Sequence, residues 1–504
     1  RVMQLSPDGD EVILAYNVYR HTFIARYAAV NIITGHTVAI NPIGVNAGKS
    51  DDVAFLQNFV WGPSGTALAF VFLNNIYYQS SLSSAPRQIT TTGQLDVIFN
   101  GVPDWVYEEE VFGSNNAIWF SKDGAKMAYG TFDDTAVRKM KVPHYGVPGS
   151  VNYQYTQHHE IRYPKIYFTQ MLLSNPEIMC EQRATNFIAI FIKKFLSSSW
   201  YKATSVQDSA EQHIYNVNAG VVSCFTCGIR REDGGECLYN DATLNNAGDR
   251  ITINCAGPDV PQVFIYATVR INIFELLVPS PLLLPTLVTK KWTLDWGSYL
   301  VSHWGIAIAH IDGRGSGRRG VSNMFALNGK LGTVEVEDQI TVTKYLQENL
   351  SWIDSSRTCI WGWSYGGYVA SKALAEGGDV FKCAAAVAPV VDWRFYDTIY
   401  TERYMDLPSV NPLGYAASTL LTEQVNLRDK SYFLIHGTAD DNVHYQHAML
   451  LSRLLQRQNV YFTQMSYTDE DHGLVGVRPH LYHALEKFLS IQFATSLLQG
   501  ERPS

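Results

Sequence analysis

No run of this chain is apolar for long enough to cross a bilayer. The most hydrophobic helix-length stretch, Asn186-Phe-Ile-Ala-Ile-Phe-Ile-Lys-Lys-Phe-Leu196, is short and interrupted by two lysines, whereas a spanning helix takes about 20 apolar residues. Positive charge is not in excess either. The 39 Lys and Arg stand against 47 Asp and Glu, a formal net charge of −8, which argues against a nucleic-acid partner because the phosphate backbone binds cations. Cysteine is sparse, seven in 504 residues. Cys224 and Cys227 form a C-x-x-C, but Cys237 and Cys255 do not repeat that spacing. A four-cysteine zinc site is therefore the weaker reading. Disulfides in an oxidising compartment, Cys224 with Cys227 and Cys237 with Cys255, are the better one. Cys180, Cys359 and Cys383 are left without an evident partner. No signal peptide is visible, and the chain opens Arg1-Val-Met-Gln in mid-domain style, so a targeting region is expected outside it. No metal or cofactor is expected.

What is present is length and aromaticity. A chain of 504 residues exceeds what one core usually supports, so two domains are expected. Aromatic residues make up 12%, with 29 Tyr, a content suited to β-rich architecture or to clefts that face peptide or carbohydrate. One sequon, Asn349-Leu-Ser351, is compatible with secretion.

The N-terminal part carries a loose repeat in which a tight turn feeds a β-like run. Leu5-Ser-Pro-Asp-Gly9 precedes Glu11–Asn17, Trp61-Gly-Pro-Ser-Gly65 precedes Ala67–Phe72, and Phe120-Ser-Lys-Asp-Gly124 precedes Lys126–Phe132. A weaker copy, Asn245-Asn-Ala-Gly248, precedes Arg250–Cys255. A repeat of strands and turns at this period predicts a β-propeller with one blade per unit, four or five blades in all; unrelated hairpins in a sandwich are the alternative. The pattern decays between about Tyr167 and Val206, and Met171–Cys180 receives no assignment.

From about Pro279 the period changes. Strand-like runs (Pro281–Leu284, Gly305–His310, Arg357–Trp361, Cys383–Val387, Tyr432–Ile435) alternate with helix-like ones (Glu335–Leu346, Gln446–Leu455, Leu481–Leu489). Such alternation predicts a mainly parallel sheet with helices on both faces. Within it, Gly362-Trp-Ser-Tyr-Gly366 follows an apolar run and opens a helical one, the setting of a nucleophile elbow with Ser364 at its tip. Asp440 lies just past one later strand and His472 just past another, Val460–Tyr467. Ser, Asp, His in that order is the triad order of an α/β-hydrolase: the serine needs an imidazole to take its proton, and the imidazole needs a carboxylate to fix its tautomer. Gly473 is expected to let the His472 loop turn towards the serine.

Together these stretches resemble the prolyl oligopeptidase family, and specifically its dipeptidyl peptidase IV branch. The residues carrying the resemblance are Asp312-Gly-Arg-Gly-Ser-Gly317, Leu331–Gln339, Trp361–Tyr368, Tyr400-Thr-Glu-Arg-Tyr-Met405, His436–His444 and Tyr467–Gly473. In the N-terminal part they are Asp104-Trp-Val-Tyr-Glu-Glu-Glu-Val-Phe112 and, more weakly, Tyr16–His21. The resemblance implies an N-terminal propeller, about 1–270, and a C-terminal α/β-hydrolase domain, about 271–504. It implies a serine exopeptidase that removes X-Pro or X-Ala dipeptides, with Ser364, His472 and Asp440 as the triad and the Tyr365 N–H as an oxyanion donor. Glu109 and Glu110 would hold the substrate's free ammonium. Arg20 and Asn442 would hold the penultimate carbonyl, and Tyr396, Tyr400, Trp393 and Val390 the proline ring. Asp397 stands where the exopeptidase members carry Asp, which favours pure dipeptide release. Peptides with a free N-terminus, a homodimer and an extracellular location, secreted or membrane-anchored, are also implied.

Three departures from the family set limits on this. The room for blades falls well short of the family's eight. Pro281–Trp292 passes without the tyrosine that helps form the family's oxyanion hole. Cys383 stands where a catalytic-domain disulfide begins, yet no cysteine follows it. Either internal segments are missing or the member is degenerate, with reduced activity. The competing readings are a catalytically weakened peptidase-like binding protein, and a lipase or esterase on the same fold, which leaves Glu109 and Glu110 unexplained.

Overall fold

The computed structural model describes residues 3–7, 10–19, 24–42, 54–148, 150–165, 198–205, 207–218, 221–244, 250–267, 287–422 and 427–493. Arg20 and the stretches 171–180, 186–196 and 281–286 lie outside them. The chain divides into two compact units: Arg1–Cys180 with Arg394–Val410, and Glu181–Trp393 with Asn411–Ser504.

The first unit is built of small antiparallel sheets. Met3–Leu5, Glu11–Tyr19, Ile24–Asn31 and Thr37–Ala39 form one in chain order, and Asn58–Trp61, Leu68–Phe72, Asn75–Gln79 and Arg87–Gln88 form the next. Ile118–Phe120 pairs with Met127–Tyr129, Ile98–Asn100 with Thr131–Asp133, and Lys139–His144 with Gln157–Arg162. The glycine turns of the repeat join the first two strands of successive hairpins. Gly65 and Gly124 sit there at φ 57 and 68, a left-handed backbone that glycine adopts without steric cost. Gly9 and 245–248 lie outside the described residues, although the strands flanking the last copy, Tyr239–Leu244 and Arg250–Gly257, do pair antiparallel.

The run Leu68-Ala-Phe-Val-Phe72 is apolar at successive positions because both its faces are covered. Leu68 and Phe70 pack with Ala25, Tyr27, Leu56 and Phe59, while Ala69 and Val71 pack with Ile76, Val102 and Ile118. Sheets stacked face to face in this way give the propeller-type packing that the repeat predicted.

A pair of buried carboxyls, Asp104 and Asp134, lies in this unit. Burial pushes Asp134 up to about 8, helped by the neighbouring Asp104 and only partly offset by Arg162. Burial raises Asp104 as well. The unfolded chain gives up these protons near the ordinary carboxylate range, before the folded chain does, so folding stability falls as pH rises from about 4 and levels off above about 8. Asp134→Asn is therefore expected to flatten the decline of Tm between pH 5 and 8.5, measured by differential scanning calorimetry.

In the second unit the strands from Ser198 to Ala267 form a six-stranded sheet. It is tied by disulfides Cys224–Cys227 and Cys237–Cys255, the pairing expected. The sulfurs of the C-x-x-C are bonded to each other, so they are not free to ligate zinc beside His213. Cys359 and Cys383, expected to lack partners, are bonded to each other. They are Cα partners 4.7 Å apart on adjacent parallel strands, a neighbourhood made by a helical crossover that no local spacing reveals.

The core of this unit is a parallel sheet in the order Cys359–Trp363, Cys383–Val387, Ser431–Gly437, Thr463–Tyr467. Alternate residues face opposite ways. Cys383, Ala385, Val387, Phe433 and Ile435 meet Leu300 of the helix Trp296–Trp304 and Leu481, Leu485 and Phe488 of the helix Arg478–Phe493. On the other face Tyr432 meets Ser371 of the helix Tyr365–Glu376 through a 2.8 Å hydroxyl hydrogen bond. Gly305–His310, expected as a strand, is not one. Ile306 and Ile308 reach the core, but no strand among the described residues pairs with that backbone.

Candidate active site

Three strand ends of the parallel sheet carry the candidate chemistry. Cys359–Trp363 ends at Ser364, which has φ 60 and ψ −118 and precedes the helix Tyr365–Glu376. A non-glycine residue at positive φ is held there only by its surroundings. The hold is visible: the Ser364 N–H donates to the Val387 carbonyl at 2.8 Å, and the Ser364 carbonyl accepts from Tyr368 N–H at 3.0 Å. A Cβ on Gly362 would collide with the backbone of Gly366, and one on Gly367 would come within 2.9 Å of the Val387 oxygen. A Cβ on Gly366 itself would meet nothing. The crowded pair is thus Gly362 and Gly367, not the two glycines of the pentapeptide.

His472 and Asp440 are brought together by the ends of the next strands. The His472 Nδ1 and Asp440 Oδ2 are 2.7 Å apart, and Asp440 Oδ1 accepts the Asn442 N–H at 3.0 Å. The Trp363 indole N–H donates to the His472 carbonyl at 3.0 Å, tying the His472 loop to the residue next to Ser364. Room for that loop comes from Gly437, where a Cβ would collide with the Glu470 carbonyl and lie 2.8 Å from that of Asp471. Gly473, expected to provide it, is the less crowded of the two: a Cβ there would lie 3.3 Å from Asp471 Oδ1 and from the Val475 side chain. Asp440 is fully buried, which by itself would raise its pKa. The charge of His472 and hydrogen bonds from His436 and His472 outweigh this and hold the carboxyl well below the usual range.

Tyr365 opens the helix, where the first N–H groups have no acceptor within the helix itself. Its phenol donates to Glu335 Oε1 at 2.7 Å, and the same carboxylate accepts the Thr333 N–H at 3.1 Å. Glu335, within the Leu331–Gln339 stretch, thereby anchors the residue after Ser364, a role that residue type alone did not announce. Trp393, 1% exposed, packs its ring 5.6 Å from that of Tyr365, and Val390 is buried beside it in sequence.

The acidic pair belongs to the first unit. Asp104 caps the helical turn Trp105–Tyr107, its side chain accepting Tyr107 N–H at 2.8 Å, and the chain continues as one wider turn, Glu108–Phe112, ending at Gly113. Aromatic contacts clamp this segment: Trp105 on Tyr163 at 4.4 Å, Tyr107 on Phe132 at 4.9 Å and Phe112 on Trp119 at 5.7 Å. The same unit includes 394–410, a stretch placed far along the sequence. From it Arg403 donates to the Glu110 carbonyl at 3.1 Å and faces its carboxylate at 3.9 Å. Burial pushes Glu110 up to about 7, Arg403 works against this and Glu109 adds to it. Asp397 is raised too, by burial and then by the charge of Glu110. Tyr396 and Tyr400, both 7% exposed, pack edge to face at 5.3 Å in the same unit. Arg403 was missed by residue-type reasoning, because a lone arginine on a helix reads as a solvated charge; only its place in Tyr400–Met405 pointed to it.

These arrangements can be set beside known proteins. The prolyl oligopeptidase family matches residues 292–496, and the dipeptidyl peptidase IV N-terminal region matches residues 6–169. The venom dipeptidyl peptidase 4 of Vespa velutina is 30% identical over 671 aligned residues, taking in 98% of this chain and 85% of that protein. The dipeptidyl peptidase 4 of Sus scrofa is 28% identical, covering 97% of this chain and 86% of that one. Both alignments run over more positions than the chain has residues, so these relatives carry internal stretches with no counterpart here. Among solved structures, the dipeptidyl peptidase 4 of Porphyromonas gingivalis superposes with a TM-score of 0.77 at 22% identity, over 97% of this chain and 89% of that one, and so shares the fold of an N-terminal propeller and a C-terminal hydrolase domain. With its two matching regions, its parallel sheet and its elbow, the chain belongs to the prolyl oligopeptidase family of serine peptidases, in the dipeptidyl peptidase IV branch.

Proposed function

We propose that this chain is a serine exopeptidase that releases N-terminal dipeptides with Pro or Ala at the penultimate position, through an acyl-enzyme on Ser364. The observation that carries the reading is the His472–Asp440 pair at 2.7 Å, tied through Trp363 to the elbow that bears Ser364. Ser364 Oγ attacks the second peptide carbonyl while His472 takes its proton. The Tyr365 N–H receives the oxyanion, and His472 then protonates the leaving amine. Water releases the dipeptide by the same steps in reverse roles. Glu109 and Glu110 hold the ammonium, so that only the second peptide bond reaches the serine. Arg20 and Asn442 hold the penultimate carbonyl, and Tyr396, Tyr400, Trp393 and Val390 take the proline ring. Residues 1–270 form the propeller-type domain with four or five blades, and 271–504 the hydrolase. The protein acts extracellularly, as a homodimer, with a glycan at Asn349, whose side chain lies on an exposed helix end.

Without the oxyanion tyrosine in Pro281–Trp292, turnover is lower than in a complete site, a missing donor costing about 10²–10³-fold. In the extreme this gives the alternative, a weakened peptidase-like binding protein. Gly-Pro-p-nitroanilide separates the readings. The expected result is amide turnover that disappears when the glycine amine is acetylated. Turnover of esters but not of this amide would sink the peptidase reading in favour of an esterase. Absence of both would leave the binding protein.

A further inference from the structure

Asp440 is shared between two histidines, of which the triad uses one. His436, on the strand Ser431–Gly437, is completely buried. Its Nε2 lies 2.7 Å from the Val443 carbonyl and 3.3 Å from Asp440 Oδ2, the oxygen that also faces His472 Nδ1. A carbonyl only accepts, so Nε2 carries the proton. That one N–H is divided between Val443 and the carboxylate, closing the loop from Gly437 to Val443 around Asp440. Nδ1 of His436 has no partner among the described residues.

We infer that His436 is a positioning residue that tempers the charge of Asp440 and so sets the pH at which His472 becomes a base. The inference rests on Ser364, His472 and Asp440 acting as the proposed triad. The carboxylate would keep its place without His436, since Asn442 N–H holds Oδ1 and the surroundings bury it completely. What His436 adds is a second donor on Oδ2. A donor on a carboxylate draws off negative charge, and less charge on Asp440 means less stabilisation of the imidazolium of His472. Among the described residues, the titratable groups facing His436 are Asp440 and, edge-on at 5.6 Å, the ring of Tyr445, with His472 beyond Asp440.

The sign separates this role from simple bracing. If His436 only braced the loop, its loss would let Asp440 drift from His472, and His472 would give up its proton at lower pH. If it tempers charge, its loss makes Asp440 a stronger partner, and His472 holds its proton to higher pH. The readout is the rate of inactivation by diisopropyl fluorophosphate against pH. In that reaction Ser364 Oγ bonds to phosphorus, fluoride leaves and the serine proton passes to His472, with no peptide involved. For His436→Leu the acid limb of the profile is expected to move up by about half a pH unit. His436→Gln, which restores an amide N–H, is expected to return it towards the parent. An unmoved or lowered limb in His436→Leu overturns the proposal, as does an equal displacement in both variants. Should His436→Leu not fold, a His436→Gln limb displaced upward from the parent by less than half a unit supports it, and one displaced downward overturns it. Failure of the dipeptide reading would show separately, as absent Gly-Pro-p-nitroanilide turnover in a parent protein that the fluorophosphate still inactivates.

Discussion

Replacing Ser364 with alanine is expected to lower amide turnover by about a million-fold, the scale seen when a triad serine is removed elsewhere. The protein should remain folded. Ser364 sits at a strained φ of 60 because Val387 and Tyr368 hold its backbone, not its hydroxyl, so the side chain can be cut back with the elbow intact. His472→Ala is expected to cost nearly as much alone and almost nothing more in the double variant, because base and nucleophile act as one unit. Initial rates on Gly-Pro-p-nitroanilide, with near-ultraviolet circular dichroism as the folding check, measure both. A Ser364→Ala protein retaining more than about a thousandth of the parent rate would mean another nucleophile is at work, since the residual catalysis of a triad knockout lies far below that.

The second large effect is expected at Glu110. Glu110→Gln removes a carboxylate that would pair with the substrate ammonium and leaves its neighbours Arg403 and Asp397 in place. Truncating one partner of a buried charge pair costs about 2–5 kcal/mol, or roughly 30- to 5,000-fold in binding. The loss should fall on kcat/KM for free-amine substrates, while the rate of fluorophosphate inactivation stays at the parent value. pH gives the same answer by another route. With Glu110 pushed up to about 7, the carboxyl is largely neutral in mild acid and gains its charge as pH rises through that value. The substrate amine loses its own charge above about 8. KM is therefore expected to improve from pH 6 to between 7 and 8 and to worsen beyond, and Glu110→Gln should abolish the improvement. A KM independent of pH in the parent would show that Glu110 does not meet the amine.

Much of the candidate site was legible because its parts are local. An elbow is a strand, a serine and a helix within ten residues, and glycine at position 362 is a local steric demand, whereas the demand at 367 comes from Val387 on the neighbouring strand. Strands with alternating or continuous apolar residues, and the turns between them, declare themselves in the same way. The disulfide of Cys359 with Cys383 was not legible, because it joins strands whose adjacency depends on a crossover helix. Gly305–His310 misled for the opposite reason. Its apolar residues do reach the core, but a strand also needs a neighbour to pair with, which it lacks among the described residues, and the sequence of one segment does not say whether it has one. Arg403 and His436 were passed over because a charged helix residue and an apolar-flanked histidine look ordinary until their partners are known.

The order of Ser364, Asp440 and His472 along the chain, the glycine turns that open the hairpins, and the pairing of Cys224 with Cys227 followed from the sequence by itself, since each rests on residues near in the chain or on a fixed order of strand ends. Three things were decided only by the tertiary structure: that Arg403 and Asp397 gather about Glu110 across nearly three hundred residues, that a second histidine shares the oxygen facing His472, and that Gly437, more than Gly473, makes space for the His472 loop. Burial and charge act through distance in space, and distance in space is what folding adds to the order of residues.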